Sequence, residues 1–104
     1  MPVRDERKLL GLLGLGARGR LVVIGVDQVR EAVRRGKVVL ALLAPDASEH
    51  GRKKVVPLLM AKRIPIVEGP SATALGAAVG RETTTVVGVV DRELAKGILG
   101  LADL

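Results

Sequence analysis

Phenylalanine, tryptophan, tyrosine and cysteine are all absent from this 104-residue chain, and histidine occurs once, at His50. The lack of cysteine excludes disulfides and thiolate metal sites and suits a cytoplasmic protein. A single histidine cannot assemble a zinc or iron centre, so neither a metal nor any other cofactor is expected. No run of about 18 apolar residues occurs, so no membrane span is expected. The opening MPVRDERK is charged and is not followed by the apolar core and cleavage site of a signal peptide. The missing aromatic rings are the most informative absence. Modules that read single-stranded nucleic acid usually stack bases on such rings. A chain without them must grip a folded shape instead, through phosphates, base edges and apolar contacts.

What is present is apolar and basic. Hydrophobic residues make up 48% of the chain, enough for a real core, and 104 residues fit one domain spanning 1–104. The formal charge is +6 and the isoelectric point about 10.5. A surplus of this size favours an anionic partner, most often nucleic acid, although it also serves solubility.

Apolar spacing divides the chain into alternating helices and strands. Residues 4–13 read as a first helix with Leu9, Leu10 and Leu13 inward, ended by Gly14 and Gly16. LVVI at 21–24 is a β-type run stopped by Gly25. Over 26–35, Val26, Val29 and Val33 recur at helical spacing with Ala32 on the same face; Gly36 is the expected stop, with Arg34 and Arg35 favourable to the helix dipole. VVLALLA at 38–44 is apolar throughout, as in a strand covered on both faces. A helix is expected over 48–63, with Leu58, Leu59 and Ala61 packing and a kink or fresh start at Pro57. PIVE at 65–68 is a short strand, Ser71 is placed to cap a helix at 72–79, and Gly80 ends it. TTVVGVV at 84–90 is the last strand. Asp91 then caps a closing helix over 92–102 with Leu94, Ala95, Ile98 and Leu101 inward. The alternation predicts an α/β sandwich, one four-stranded sheet with helices on both faces.

Candidate chemistry gathers where the run 21–24 passes into the helix at 26–35. Gly25 would let backbone N–H groups at a helix start meet a phosphate or base edge, or it is a routine tight turn. Asp27 offers acceptors to a guanine edge or an amino group, and Gln28 both donates and accepts. Asp27 would equally favour the positive end of the dipole. Arg30, Arg34, Arg35 and Lys37 form a basic stripe, and Arg18 and Arg20 precede the first strand. If the sheet brings 16–20 close to 25–28, a phosphate track results; otherwise the stripe is a solvated face. Arg52, Lys53 and Lys54 form a second cluster that suits a plain surface as well. Enzyme signatures are lacking. GLLGLGARG precedes its strand, whereas a dinucleotide loop follows one, and no Walker-type GK[ST] occurs. Asp46, Ser48 and His50 lie within five residues with no oxyanion-hole motif around them. No catalytic activity is expected.

Four stretches, in order and spacing, resemble the ribosomal L7Ae/L30e family, especially its small bacterial YlxQ-like members: LVVIGVDQVREAVRRGKVVLALLAPDAS, VVPLLMAKRIPIVEGPS, LGAAVGRE and TTVVGVVD. The resemblance covers nearly the whole chain. It implies an L30e-like three-layer α-β-α sandwich with a mixed four-stranded sheet, and binding to kink-turn or kink-turn-like RNA. In archaeal and eukaryotic members the signature is Gly-x-Asn-Glu-x-x-Lys. Its Asn and Glu contact sheared G·A pairs and its Lys approaches the backbone. The glycine falls at Gly25, the Asn at Asp27, the Glu at Gln28 and the Lys at Glu31; a basic position at the helix end falls at Arg35. The loop that packs on an extruded nucleotide falls on Gly80, Arg81, Glu82, Thr83 and Thr84. Glu31 reverses a charge near phosphate. Two unit charges about 4 Å apart at an effective dielectric near 20 interact by about 4 kcal/mol, and Arg30 or Arg34 would have to compensate.

The resemblance therefore implies a ribosome-associated RNA-binding protein, with structured ribosomal RNA as its partner and ribosomal proteins as further candidates; a monomer in the cytoplasm is expected. The altered signature keeps a second reading open: a ribosome-associated protein-interaction or assembly module that has lost kink-turn recognition.

Overall fold

The structure, a computed structural model, describes residues 2–102. In chain order these form α1 (Glu6–Arg18), β1 (Val22–Ile24), α2 (Val26–Arg34), β2 (Leu40–Leu43), α3 (Glu49–Ala61), β3 (Ile66–Glu68), α4 (Ala72–Ala78), β4 (Val86–Val89) and α5 (Arg92–Leu99). The strands lie side by side as β1-β4-β2-β3. β4 is antiparallel to both neighbours and β2 is parallel to β3, so the sheet is mixed. α1 packs with α4 and α5, and α2 packs with α3. The two groups cover opposite faces, giving a three-layer α-β-α sandwich. All four positions of β2 are buried, as double coverage requires. Gly88 in β4 lets α2 approach the sheet: a Cβ there would lie 3.0 Å from Val23 and 3.5 Å from Val29. Among the described residues no helix is long and apolar enough to cross a membrane.

Because β4 runs against the other three strands, the sheet has two distinct ends. At the upper end β1, β2 and β3 finish and β4 begins. There the Gly25 N–H donates to the Val86 carbonyl (3.0 Å), Ala44 to Thr85 (2.8 Å) and Gly69 to Leu43 (2.9 Å). At the lower end the Val90 N–H donates to the Leu21 carbonyl (2.9 Å), Val39 to Val89 (2.8 Å) and Ala41 to Pro65 (3.0 Å).

Helix starts follow the expected chemistry with one exception. Side-chain oxygens of Asp5, Ser48, Ser71 and Asp91 accept from the N–H groups of Lys8 (3.2 Å), Gly51 (3.1 Å), Ala74 (3.2 Å) and Leu94 (2.8 Å). Each such cap typically contributes about 1 kcal/mol. α2 alone begins at a glycine, Gly25, with no side-chain cap.

Helix ends divide in two. α2 and α4 finish in left-handed glycines, Gly36 (φ 71°) and Gly80 (φ 80°). The following N–H groups reach back five residues, Lys37 to Ala32 (3.0 Å) and Arg81 to Gly76 (2.7 Å), which is the Schellman arrangement. α1 and α3 close in the same way, through Leu21 to Gly16 (2.8 Å) and Ile64 to Leu59 (2.9 Å). Their left-handed residues, however, are Arg20 (φ 59°) and Arg63 (φ 57°). A side chain in that conformation costs roughly 1–2 kcal/mol.

Two local expectations are overturned. Gly14 and Gly16 do not end the first helix, which runs on to Arg18. They lie where other elements press on it: a Cβ on Gly16 would meet Leu94 at 2.5 Å, and one on Gly14 the Ala78 carbonyl at 3.4 Å. Close packing of α5 and α4 outweighs the poor helix propensity of glycine. α3 makes no fresh start at Pro57 but continues through it, and Ala61, expected to pack, is exposed, while Leu59 is buried and Leu58 half-buried.

Candidate nucleic-acid interface

The uncapped start of α2 opens the site. Gly25 has φ 91° and ψ 160°, a region essentially reserved for glycine. A Cβ there would meet nothing within 4 Å. The backbone therefore demands glycine, and the space in front of it is open. Among the described residues no side chain accepts from the first turn of α2, which leaves its positive dipole end to an outside acceptor.

The loop at 80–84 stands beside this turn, since it leads into β4, whose first residue receives the Gly25 N–H. Gly76 fixes the loop's position. A Cβ on Gly76 would lie 2.5 Å from the Thr83 Cα and 2.8 Å from its nitrogen. The Thr84 N–H donates to the Ala72 carbonyl (3.1 Å). Thr84 is itself buried, its hydroxyl donating to the Val86 carbonyl (3.1 Å). It shapes the loop and leaves Gly80, Arg81, Glu82 and Thr83 exposed.

From the turn, a groove of about 380 Å³ runs along α2 beside the edge strand β1. Val23 and Ala32 give it an apolar floor, while Asp27, Gln28, Glu31, Arg35 and Lys37 supply polar walls. Glu31 lines this groove, and the Arg35 Nε donates to its Oε1 at 2.9 Å. The pair is well exposed, so it contributes only a few tenths of a kcal/mol. Its effect on the site is electrostatic: the acid at 31 is countered from within, and Arg35 is partly occupied by doing so. The groove carries two acids and two bases, Asp27 and Glu31 against Arg35 and Lys37.

The other basic residues expected near the turn lie elsewhere. Arg18 and Arg20 are at the lower end of β1, about 16 Å of extended chain from Gly25, so 16–20 and 25–28 do not form one track. Arg30 does not compensate for Glu31: its guanidinium donates to the Lys54 carbonyl and ties α2 to α3. Arg34 is exposed at the far end of α2. In the second cluster, Arg52 donates to the carbonyls of Ala44 (3.4 Å) and Pro45 (3.1 Å), and Lys53 pairs with Glu49 at 3.6 Å. Ser48 caps α3, and Asp46 accepts from the Ala72 N–H at 2.9 Å, so both serve the fold. Sequence reasoning missed the part played by Gly76 and the cations Lys62, Arg63 and Arg92. Tracking charge at the strand ends, rather than on helix faces, would have found the cations.

A model of the ribosomal protein L7Ae/L30e/S12e/Gadd45 family matches residues 7–99. The chain is 37% identical over 92 residues to the RNA-binding protein YlxQ of Bacillus subtilis, covering 88% of this chain and 92% of that one. Among solved structures, a Bacillus halodurans protein of unknown function superposes with a TM-score of 0.85 at 36% identity, over 90% of this chain and 95% of that one. The Giardia lamblia 15.5kD RNA-binding protein shares the fold, with a TM-score of 0.75 at 24% identity over 92% of this chain and 88% of that one.

Proposed function

Because the chain belongs to the ribosomal protein L7Ae/L30e/S12e/Gadd45 family, we propose that it is an RNA-binding protein that engages structured, kink-turn-like RNA across the upper end of its sheet. Ribosomal RNA in the cytoplasm is the proposed target. The observation that carries this reading is the contact between Gly25 and the start of β4, which sets the open turn of α2 against the exposed loop residues Arg81, Glu82 and Thr83. Gly25 admits close approach of the RNA. Asp27 accepts from base amino groups and Gln28 pairs with a base edge in either sense. The loop rests against an unstacked nucleotide. The protein acts as a monomer: among the described residues the exposed large hydrophobic side chains, Leu15 and Met60, lie on helices of opposite layers and form no joint patch.

A gel shift tests the reading, with a kink-turn RNA beside the same RNA lacking its tandem G·A pairs. Tighter binding to the kink-turn is expected; equal affinity overturns the kink-turn assignment. The Glu31–Arg35 pair favours a second reading, in which a charge-balanced groove docks a ribosomal protein. That reading requires the chain to co-sediment with nuclease-treated ribosomes and to bind no naked RNA.

A further inference from the structure

The net charge of the molecule does not lie at the groove. Arg18 and Arg20 lead into β1, Arg34 and two cations that also line the groove, Arg35 and Lys37, into β2, Lys62 and Arg63 into β3, and Arg92 follows β4. The strand directions put all four connections at the lower end of the sheet. Asp91, Glu93 and Glu31 are the acids set against these eight cations, leaving five of the chain's six net positive charges. The rest of the sequence is nearly balanced. All three acids are engaged, Asp91 capping α5, Glu93 pairing with Lys96 at 3.6 Å and Glu31 with Arg35 at 2.9 Å. Among the described residues, Arg35 is the one cation of the eight with a side-chain partner.

Local structure does not account for this concentration. Helix dipoles favour Arg18 and Arg34, in the last turns of α1 and α2. Arg92 instead opens α5, at the positive end of its dipole. Arg20 and Arg63 hold left-handed positions that α2 and α4 give to glycine. Three of the eight cations thus occupy places that their own backbone disfavours.

We propose that this lower end is a second docking surface, which holds the phosphate backbone of an RNA duplex without reading sequence or kink. Six of its cations are arginines, whose planar forks match phosphate oxygens. The absence of aromatic rings argues against single strands. Four adjacent strands spread the connections over about 15 Å, enough to meet several phosphates at once. The surface shares its RNA partner with the groove but does not depend on kink recognition.

The test is an anisotropy titration of a plain, unkinked RNA duplex over a range of salt, with the intact protein and with the double variant Arg20→Gly/Arg63→Gly. The variant removes two cations and gives both positions the residue their backbone prefers; a melting curve verifies that it folds. Its duplex affinity should fall on the order of tenfold or more at about 0.1 M salt, with a salt slope shallower by about two contacts. Its preference for kink-turn over duplex RNA should not change. Unaltered affinity and slope overturn the proposal, and so does an equal loss from Asp27→Ala/Gln28→Ala. Kink-turn binding with no duplex binding by the intact protein refutes this surface and spares the groove; duplex binding without kink preference does the reverse. Loss of co-sedimentation with nuclease-treated ribosomes at unchanged duplex affinity assigns the surface to an acidic protein and overturns it.

Discussion

At the upper end of the sheet, backbone is exposed and charge is balanced: an uncapped helix start, a left-handed glycine facing open space, and the head of a groove that runs down α2, in which two acids meet two bases. At the lower end the backbone is closed by Schellman turns, and the side chains are a nearly unopposed set of arginines and lysines. The contrast separates two tasks in nucleic-acid binding. Reading a base edge needs directional donors and acceptors at fixed positions; holding a phosphate chain needs positive charge and little else. A chain with no aromatic residue can divide these tasks between the ends of one small sheet.

Charge reversal matters most at the lower end. With Arg18→Glu and Arg34→Glu together, binding to every RNA should weaken on the order of a hundredfold at low salt, as read by filter binding. An affinity that stays put would remove this end from the account. At the upper end, Gly76→Ala should destabilise the protein by about 1–3 kcal/mol, because the new methyl meets backbone atoms of Thr83 that cannot yield without moving the loop. A denaturation midpoint measures the cost, and a lost preference for kink-turn RNA in the folded variant measures the loop's part in reading.

Smaller effects sharpen the contrast. Arg63→Gly should stabilise the fold by about 1 kcal/mol, relieving a left-handed arginine, and raise the melting temperature by about 4–8 °C. A lower melting temperature would mean that the Arg63 side chain supports the fold after all. Glu31→Gln should change stability by less than about 0.5 kcal/mol, since it breaks only an exposed pair. It should tighten RNA binding several-fold by freeing Arg35, which a direct titration would detect.

Much of the architecture was legible because local signals and tertiary structure agree. The uniformly apolar 38–44 announces a strand covered on both faces, and Ser71, Asp91, Gly36 and Gly80 punctuate their helices as read. The glycines of the first helix misled because their role is set by partners distant in sequence: Leu94 presses on Gly16 only once α5 has docked. The same limit applied to the site. Asp27, Gln28, Glu31 and Arg35 fall on one groove because helical spacing is local. Arg18 and Arg20 were grouped with the turn at Gly25 because they are near in sequence, but β1 holds them at the other end. The lower cationic end is assembled from four separate connections, and nothing short of the strand order brings them together.

If reading and holding are separable, a ratio of affinities reveals it. Binding to a kink-turn RNA and to a plain duplex would be measured for the intact protein, for Arg20→Gly/Arg63→Gly and for Asp27→Ala/Gln28→Ala. The arginine variant should weaken both RNAs by the same factor and leave the ratio unchanged. The groove variant should bring the ratio close to one while duplex binding persists. A ratio that collapses with the arginines, or a groove variant that weakens both RNAs alike, would contradict the division between the two ends.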